Sequence, residues 1–299
     1  MNEKQIKFSI CICNYNMADT LEKSLRSVLN QINEDYEVVV VDDGSNDKSV
    51  SIIKELQLEF SSLRSIFLDR DVNRKLGFTR NISIQEALGE WCIFHIDTDD
   101  LIGPHIMEFM NGISLLDGAL EGKEVLYSGQ QIHVARKKFL LKEGPFNNLY
   151  RGEDRDLYMR LFKQEAWLII EHKRFIQRIH RRRDLIFKKV VWDLVDQMTS
   201  DLLRDKLKLR ELIHSSLART RGRFREKLAR ILLIPFVYIN VLRADQVFVP
   251  TSRSEHPEFV EYRRKHTKTI LGHLKDNGAS VTFQPSSIFM SPSGDLHGR

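Results

Sequence analysis

The sequence predicts an α/β protein: a Rossmann-like, mostly parallel sheet flanked by helices, with a mainly helical C-terminal extension. Three observations predict it. Apolar runs of strand length alternate with segments of helical period over the first hundred residues. Acidic clusters follow directly on two of those runs. Beyond His172 the apolar spacing becomes helical.

The elements follow in order. IKFSICICN, 6–14, has the length and β-branched content of a buried strand. Residues 18–30 place Leu21, Leu25, Val28 and Leu29 at helical spacing. YEVVVVDDG, 36–44, is apolar on both faces, as a central parallel strand is. Ser45, Asp47 and Lys48 open a second helix carrying Ile52, Ile53, Leu56 and Leu58. LRSIFLD is a third strand, 79–88 a helix, and EWCIFHID, 90–97, a fourth strand. Strands and helices alternating in this way imply right-handed crossovers. A helix is expected at 104–117, a strand at 124–136 and a helix from about Glu153. Residues 190–218 carry Val191, Leu194, Val195, Met198, Leu202, Leu209, Leu212 and Leu217 at helical intervals, and 223–243 begins basic and becomes apolar. The expected organisation is a first domain over 1–171, a basic, mainly helical region over 172–285, and a disordered tail over 286–299.

Composition limits the function classes. With 42% hydrophobic and 29% charged residues in 299, and only 15 Gly and 7 Pro, the chain is neither disordered nor collagen-like. Three cysteines are too few for a disulfide framework, and Cys11 and Cys13 read as small core hydrophobes rather than a metal pair. The expected setting is therefore reducing and cytoplasmic. No signal-peptide pattern is visible, and no apolar run reaches the roughly 18 residues a membrane span needs. The longest, ILLIPFVYINVL at 231–242, is short and interrupted by Pro235.

The net charge of +5 hides an asymmetry. Between His172 and Arg230 there are 18 Lys/Arg and 7 Asp/Glu, a balance of +11, which leaves −6 for the rest. HKRFIQRIHRRR and ARTRGRFREKLAR, the second adjoining the apolar stretch, suit either a solvated helical face or attachment to an anionic membrane surface, on the inner face of the cell membrane. Aromatics are not interleaved as base-stacking platforms, which weighs against nucleic acid.

Three acidic constellations carry chemistry. In VVVVDDGSNDKS, Asp42 and Asp43 end a strand, where ligands of open α/β sheets bind, and Gly44 permits a sharp turn; a base N–H or ribose hydroxyl is one partner for such carboxylates, a turn and helix cap the other. In FHIDTDD, Asp97, Asp99 and Asp100 crowd three like charges, which suits a hard divalent cation, Mn²⁺ or Mg²⁺, bridging to a diphosphate. In LYRGEDRDLYMRL, Glu153, Asp154 and Asp156 stand at a helix start; the helix dipole favours acids there, and a carboxylate base is the functional alternative. His95 and the three tryptophans read as packing residues. The absence of a Gly-x-Gly-x-x-Gly fingerprint and of a Gly-x-Ser-x-Gly elbow weighs against dinucleotide oxidoreductases and α/β-hydrolases.

In this order these segments resemble the family 2 glycosyltransferases of the GT-A fold. SICICNYN with LEKSLRSVLNQ, LGFTRNISIQEALGEWCIFHIDTDD and RGEDRDLYMRL all match, so the resemblance covers about 1–165. It implies an inverting, metal-dependent transfer of one sugar from a nucleotide-diphosphate sugar to a hydroxyl acceptor, lipid-linked or on a surface glycan. Under it, Asn14 and Tyr15 border the nucleotide base, Asp43 hydrogen-bonds it with Asp42 nearby, and Arg80 sits near the nucleotide. Asp97 and Asp99 hold nucleotide and metal, with Asp100 as a rival ligand. Asp154 is the base, and Glu153 orients it or the acceptor. The Gln-x-x-Arg-Trp motif of processive synthases is absent, which points to single-sugar transfer. The alternatives are a sugar-phosphate nucleotidyltransferase, disfavoured because CICNYNMADT lacks a glycine-rich basic loop, and a nonenzymatic membrane-surface adaptor.

Overall fold

A computed structural model describes residues 5–149, 152–179, 224–243, 261–263 and 265–277, together with isolated helical positions between 191 and 214 and Phe289. The elements run β1 (Phe8–Asn14), α1 (Ala18–Leu29), β2 (Tyr36–Asp42), α2 (Ser49–Glu59), β3 (Leu63–Phe67), α3 (Leu76–Glu86), β4 (Trp91–Asp97), β5 (Asp100–Ile102) and α4 (Ile106–Ala119). There follow β6 (Leu126–Ser128), β7 (His133–Arg136), α5 (Lys137–Glu143), α6 (Glu153–Lys163), β8 (Trp167–Ile170), β9 (Ile176–Arg178), α7 (Phe224–Arg243), β10 (Thr267–Lys268) and α8 (Ile270–Asp276).

The main sheet has the order β10-β8-β6-β7-β4-β1-β2-β3. It is parallel except where β7 pairs with β4 and β6. β2 is buried along its whole length, which its run of four valines makes favourable on both faces. Alternation sorts β1 between two cores: Ile10 and Ile12 face α1, α2 and α4, while Cys11 faces Ile84, Cys92 and Phe94. The cysteines are free; Cys11 is buried and Cys13 partly so.

The expected strand at 124–136 is two strands, because Gly129–Gln131 turns the chain: Gly129 N–H donates to Ile132 O at 2.8 Å and Gln131 has a φ of 60°. A small second sheet pairs β5 with β9 antiparallel and sets Asp100 opposite Arg178. Most of the expected 190–218 helix and of the expected disordered tail lies outside the described residues. Within that tail, Phe289 is buried against Phe109 of α4.

Candidate active site

The site forms at the carboxyl ends of β1, β2 and β4, where register places Asn14 beside Asp42 and Cys13 beside Asp97. Asp42 is buried and internally occupied. It accepts from Asn14 Nδ2 at 2.6 Å, from Ser45 N–H at 2.9 Å and from Ser45 Oγ at 2.7 Å. Asn14 is also buried, so this pair welds β1 to β2 and shapes the turn after Asp42. In that turn Gly44 has a φ of 75°, and a Cβ there would lie 2.6 Å from the Arg70 backbone nitrogen. Close approach therefore requires glycine.

That approach puts Arg70 beside the buried Asp43 and the exposed Tyr15. Arg70 donates to Asp43 at 2.9 Å, and its guanidinium lies 4.4 Å from the Tyr15 ring centroid. Arg74 also donates to Asp43. Asp43 and Tyr15 thus share one small cluster with two arginines that periodicity could not reveal, since both stand in the loop between β3 and α3.

Arg80, on α3, is the hub of the deeper half. Its buried side chain lies 3.2 Å from Glu153 and 3.6 Å from Asp97. Burial raises the Glu153 carboxyl above its usual range despite Arg80, with Asp154 adding to the rise. Burial works in the same direction on Asp97, but Arg80, His95 and Arg178 outweigh it and hold that carboxylate low. Gly77, one turn before Arg80, lets α3 approach the Asn147 carbonyl, which a Cβ would meet at 2.1 Å.

Asp97, Asp99 and Asp100 converge on a single cation, the guanidinium of Arg178. It donates to Asp97 at 3.1 Å and to Asp99, and lies 3.2 Å from Asp100 Oδ1. That oxygen is buried without a hydrogen bond, and burial raises the Asp100 carboxyl above its usual range. Among the described residues, no three Asp, Glu, His or Cys groups stand at metal-ligand spacing. The donor chemistry, oxygen only, is of the kind that suits a hard divalent ion, and in this structure the three carboxylates face the Arg178 guanidinium. Arg178 stands in the HKRFIQRIHRRR run, whose sequence signal is charge alone; the pairing of β9 with β5 brings it here.

Asp154 is the second residue of α6, which Gly152 precedes with a φ of 75°. Its Oδ2 lies 3.1 Å from His95 Nε2, and its Oδ1 accepts from Arg155 N–H at 2.7 Å. Burial favours the neutral acid, but the hydrogen bond and charge of His95 outweigh it and hold Asp154 well below the usual carboxylate range. Asp156 turns inward instead, accepting from Asn147 at 2.8 Å and Arg160 at 3.2 Å. Asp154 and His95 line a cavity of about 660 Å³, with His133, Tyr158, Trp167 and Arg174 among its walls.

Residues 9–110 match the family described as Glycosyl transferase family 2. A GalNAc(5)-diNAcBac-PP-undecaprenol beta-1,3-glucosyltransferase of Campylobacter jejuni is 27% identical over 207 residues, 59% of this chain and 66% of that protein. A poly(ribitol-phosphate) beta-glucosyltransferase of Bacillus spizizenii is 38% identical over 101 residues, 33% of this chain and 16% of that protein. The chain thus spans less than two thirds of these relatives. The structure of S. aureus TarS 1-349 in complex with UDP-GlcNAc superposes with a TM-score of 0.51 over 93% of this chain and 94% of that one, at 18% identity, a likeness of fold. The matched segment holds the ends of β1, β2 and β4 and the Asp97–Asp100 cluster, so the likeness to glycosyl transferase family 2 falls on the part of the chain that builds this end of the sheet.

Proposed function

We propose that the protein transfers a single sugar from a nucleotide-diphosphate donor to a hydroxyl of a lipid-linked or cell-surface glycan, with inversion at the anomeric carbon. One observation carries the reading: the Asp154 carboxylate, held low by His95, faces a cavity, and Arg80 lies between its neighbour Glu153 and the Asp97 cluster. A base and a diphosphate site thereby adjoin. The lipid-diphosphate and polyol-phosphate acceptors in the names of the two relatives support the acceptor class.

In this mechanism Asn14 and Asp42 hold the floor of the nucleotide site, and Tyr15 and Asp43 face the base. Asp154 takes the proton of the acceptor hydroxyl as it attacks from the cavity side. Glu153, through Arg80, keeps positive charge beside the leaving diphosphate. Asp97 and Asp99, with Asp100 adjacent, would hold a Mn²⁺ or Mg²⁺ ion once Arg178 is drawn away. Such an ion supplies Lewis-acid neutralisation of the leaving group.

α7 supports a seat on an anionic membrane surface. Leu228, Ile231, Leu232, Phe236, Ile239 and Leu242 are exposed along one side, while Val237 on the other is buried with Val195 and Met198. Among the described residues no helix is long and apolar enough to cross a membrane, so an in-plane position fits this stripe.

A thermal-shift screen of UDP, GDP, CDP and dTDP with and without Mn²⁺ or Mg²⁺ tests the donor site. One nucleotide should raise Tm, more with metal, and the metal increment should vanish in Asp99→Ala. No shift with any nucleotide, with metal and liposomes present, contradicts the reading.

A further inference from the structure

β4 is not a regular strand. Along β1, Ile10 pairs with Ile93 and Ile12 with Ile96, so β4 spends three residues where β1 spends two. The extra residue falls at His95, whose φ is 70°. Positive φ is uncommon outside glycine and is tolerated by only a few residues, histidine among them. Bulges re-aim side chains next to functional sites, and a strained residue is kept only where its surroundings over-determine it.

The consequence is a change of face. Regular alternation from Ile93 would send His95 and Asp97 to the α1 side of the sheet and Ile96 to the other. Instead Ile96 joins Ile93 in the α1-side core, and His95 and Asp97 come round towards α3 and α6. There the His95 ring lies 4.7 Å from that of His133. His133 is fixed in turn by Tyr158 Oη at 2.6 Å and Ser128 Oγ at 2.8 Å. The His95 ring is thereby walled in, with Nε2 on Asp154. A carboxylate only accepts, so Nε2 is the donor. His95 Nδ1 is buried with no partner, so the contact with Asp154 is the side-chain hydrogen bond that orients the ring.

We propose that His95 is a positioning residue for the transfer reaction, presented by the β4 bulge so that its Nε2–H fixes the Asp154 carboxylate facing the acceptor. The inference rests on the reading of Asp154 as the base and adds the device that aims it. Misaiming a reacting group by about 1 Å costs on the order of 100-fold in rate.

The test uses full-length protein and the nucleotide found by the thermal screen. His95→Asn suits the left-handed backbone but is too short to reach Asp154. It should lower kcat about 10- to 100-fold, with nucleotide Kd unchanged by calorimetry. His95→Gln, which carries an amide donor near the reach of Nε2, should recover part of that loss. In an Asp154→Asn background, His95→Asn should cost nothing further in residual rate. A wild-type kcat in His95→Asn, an equal loss of nucleotide affinity, or a full additional loss on top of Asp154→Asn overturns the inference and leaves the base assignment standing. A wild-type rate in Asp154→Asn overturns the base assignment itself.

Discussion

Arg80 is the residue on which the site's electrostatics turn. Its guanidinium and the Glu153 carboxylate are both buried, so each is tolerated only because the other is present. Removing one partner of such a pair costs about 3–5 kcal/mol, because a buried charge is left uncompensated. Arg80→Ala should therefore lower the urea midpoint sharply, and adding Glu153→Gln should restore part of the loss. A purely additive double variant would contradict the coupling. Asp43 lies in a different balance. It is shared by Arg70 and Arg74 at the rim, so Asp43→Ala should weaken nucleotide binding by roughly tenfold, about 1.4 kcal/mol, with little change in melting temperature. Calorimetric titration of the nucleotide measures this, and an unchanged Kd would remove Asp43 from the donor site.

At the scale of elements, much of the architecture was legible in the chain. β1, β2 and β4 are largely apolar on both faces because helices cover both sides of the sheet, and the acids that follow β2 and β4 stand at one end of it. α3 was expected to begin at Thr79 and begins at Leu76, because Gly77 lets its first turn pack on the 145–148 loop. What sequence could not carry was chirality and long-range pairing. No pattern in FHIDTDD announces a bulge, so His95 read as packing. Nothing in HKRFIQRIHRRR says that Arg178 pairs across to Asp100. Arg70 and Arg74 stand in a loop, where no periodicity constrains side-chain direction. α7 carries the element-scale prediction. Ile231→Glu with Leu232→Glu interrupts the exposed stripe without touching the Val237 face, so the double variant should lose flotation with anionic liposomes and keep its melting temperature. Flotation equal to wild type would assign that stripe to something other than lipid.

For the whole molecule, three histidines buried among the described residues make stability depend on pH. Burial depresses the pKa of His133, His172 and His273 below the ordinary value. His172 Nε2 accepts from Gln130 N–H at 2.8 Å, which requires the neutral ring. A group whose folded pKa lies below its unfolded one binds its proton more readily when unfolded. Its contribution is complete above the unfolded value of about 6.5 and is lost as pH falls below it. Each such histidine gives a slope of up to about 1.4 kcal/mol per pH unit in that range. The urea midpoint should therefore fall between pH 7.5 and 5.5, and a midpoint that rises would contradict this assignment.

The fold brings two groups of acids to one end of the sheet: those at the ends of β2 and β4, and Asp154, which α6 presents to the cavity. The central claim is that Asp154 is the base. Its most direct test is the rate of sugar transfer by Asp154→Asn, measured beside nucleotide binding by the same protein. The account predicts a fall in kcat of about 10²- to 10⁴-fold with nucleotide Kd within a few-fold of wild type. A transfer rate near wild type, with nucleotide still bound, would contradict it.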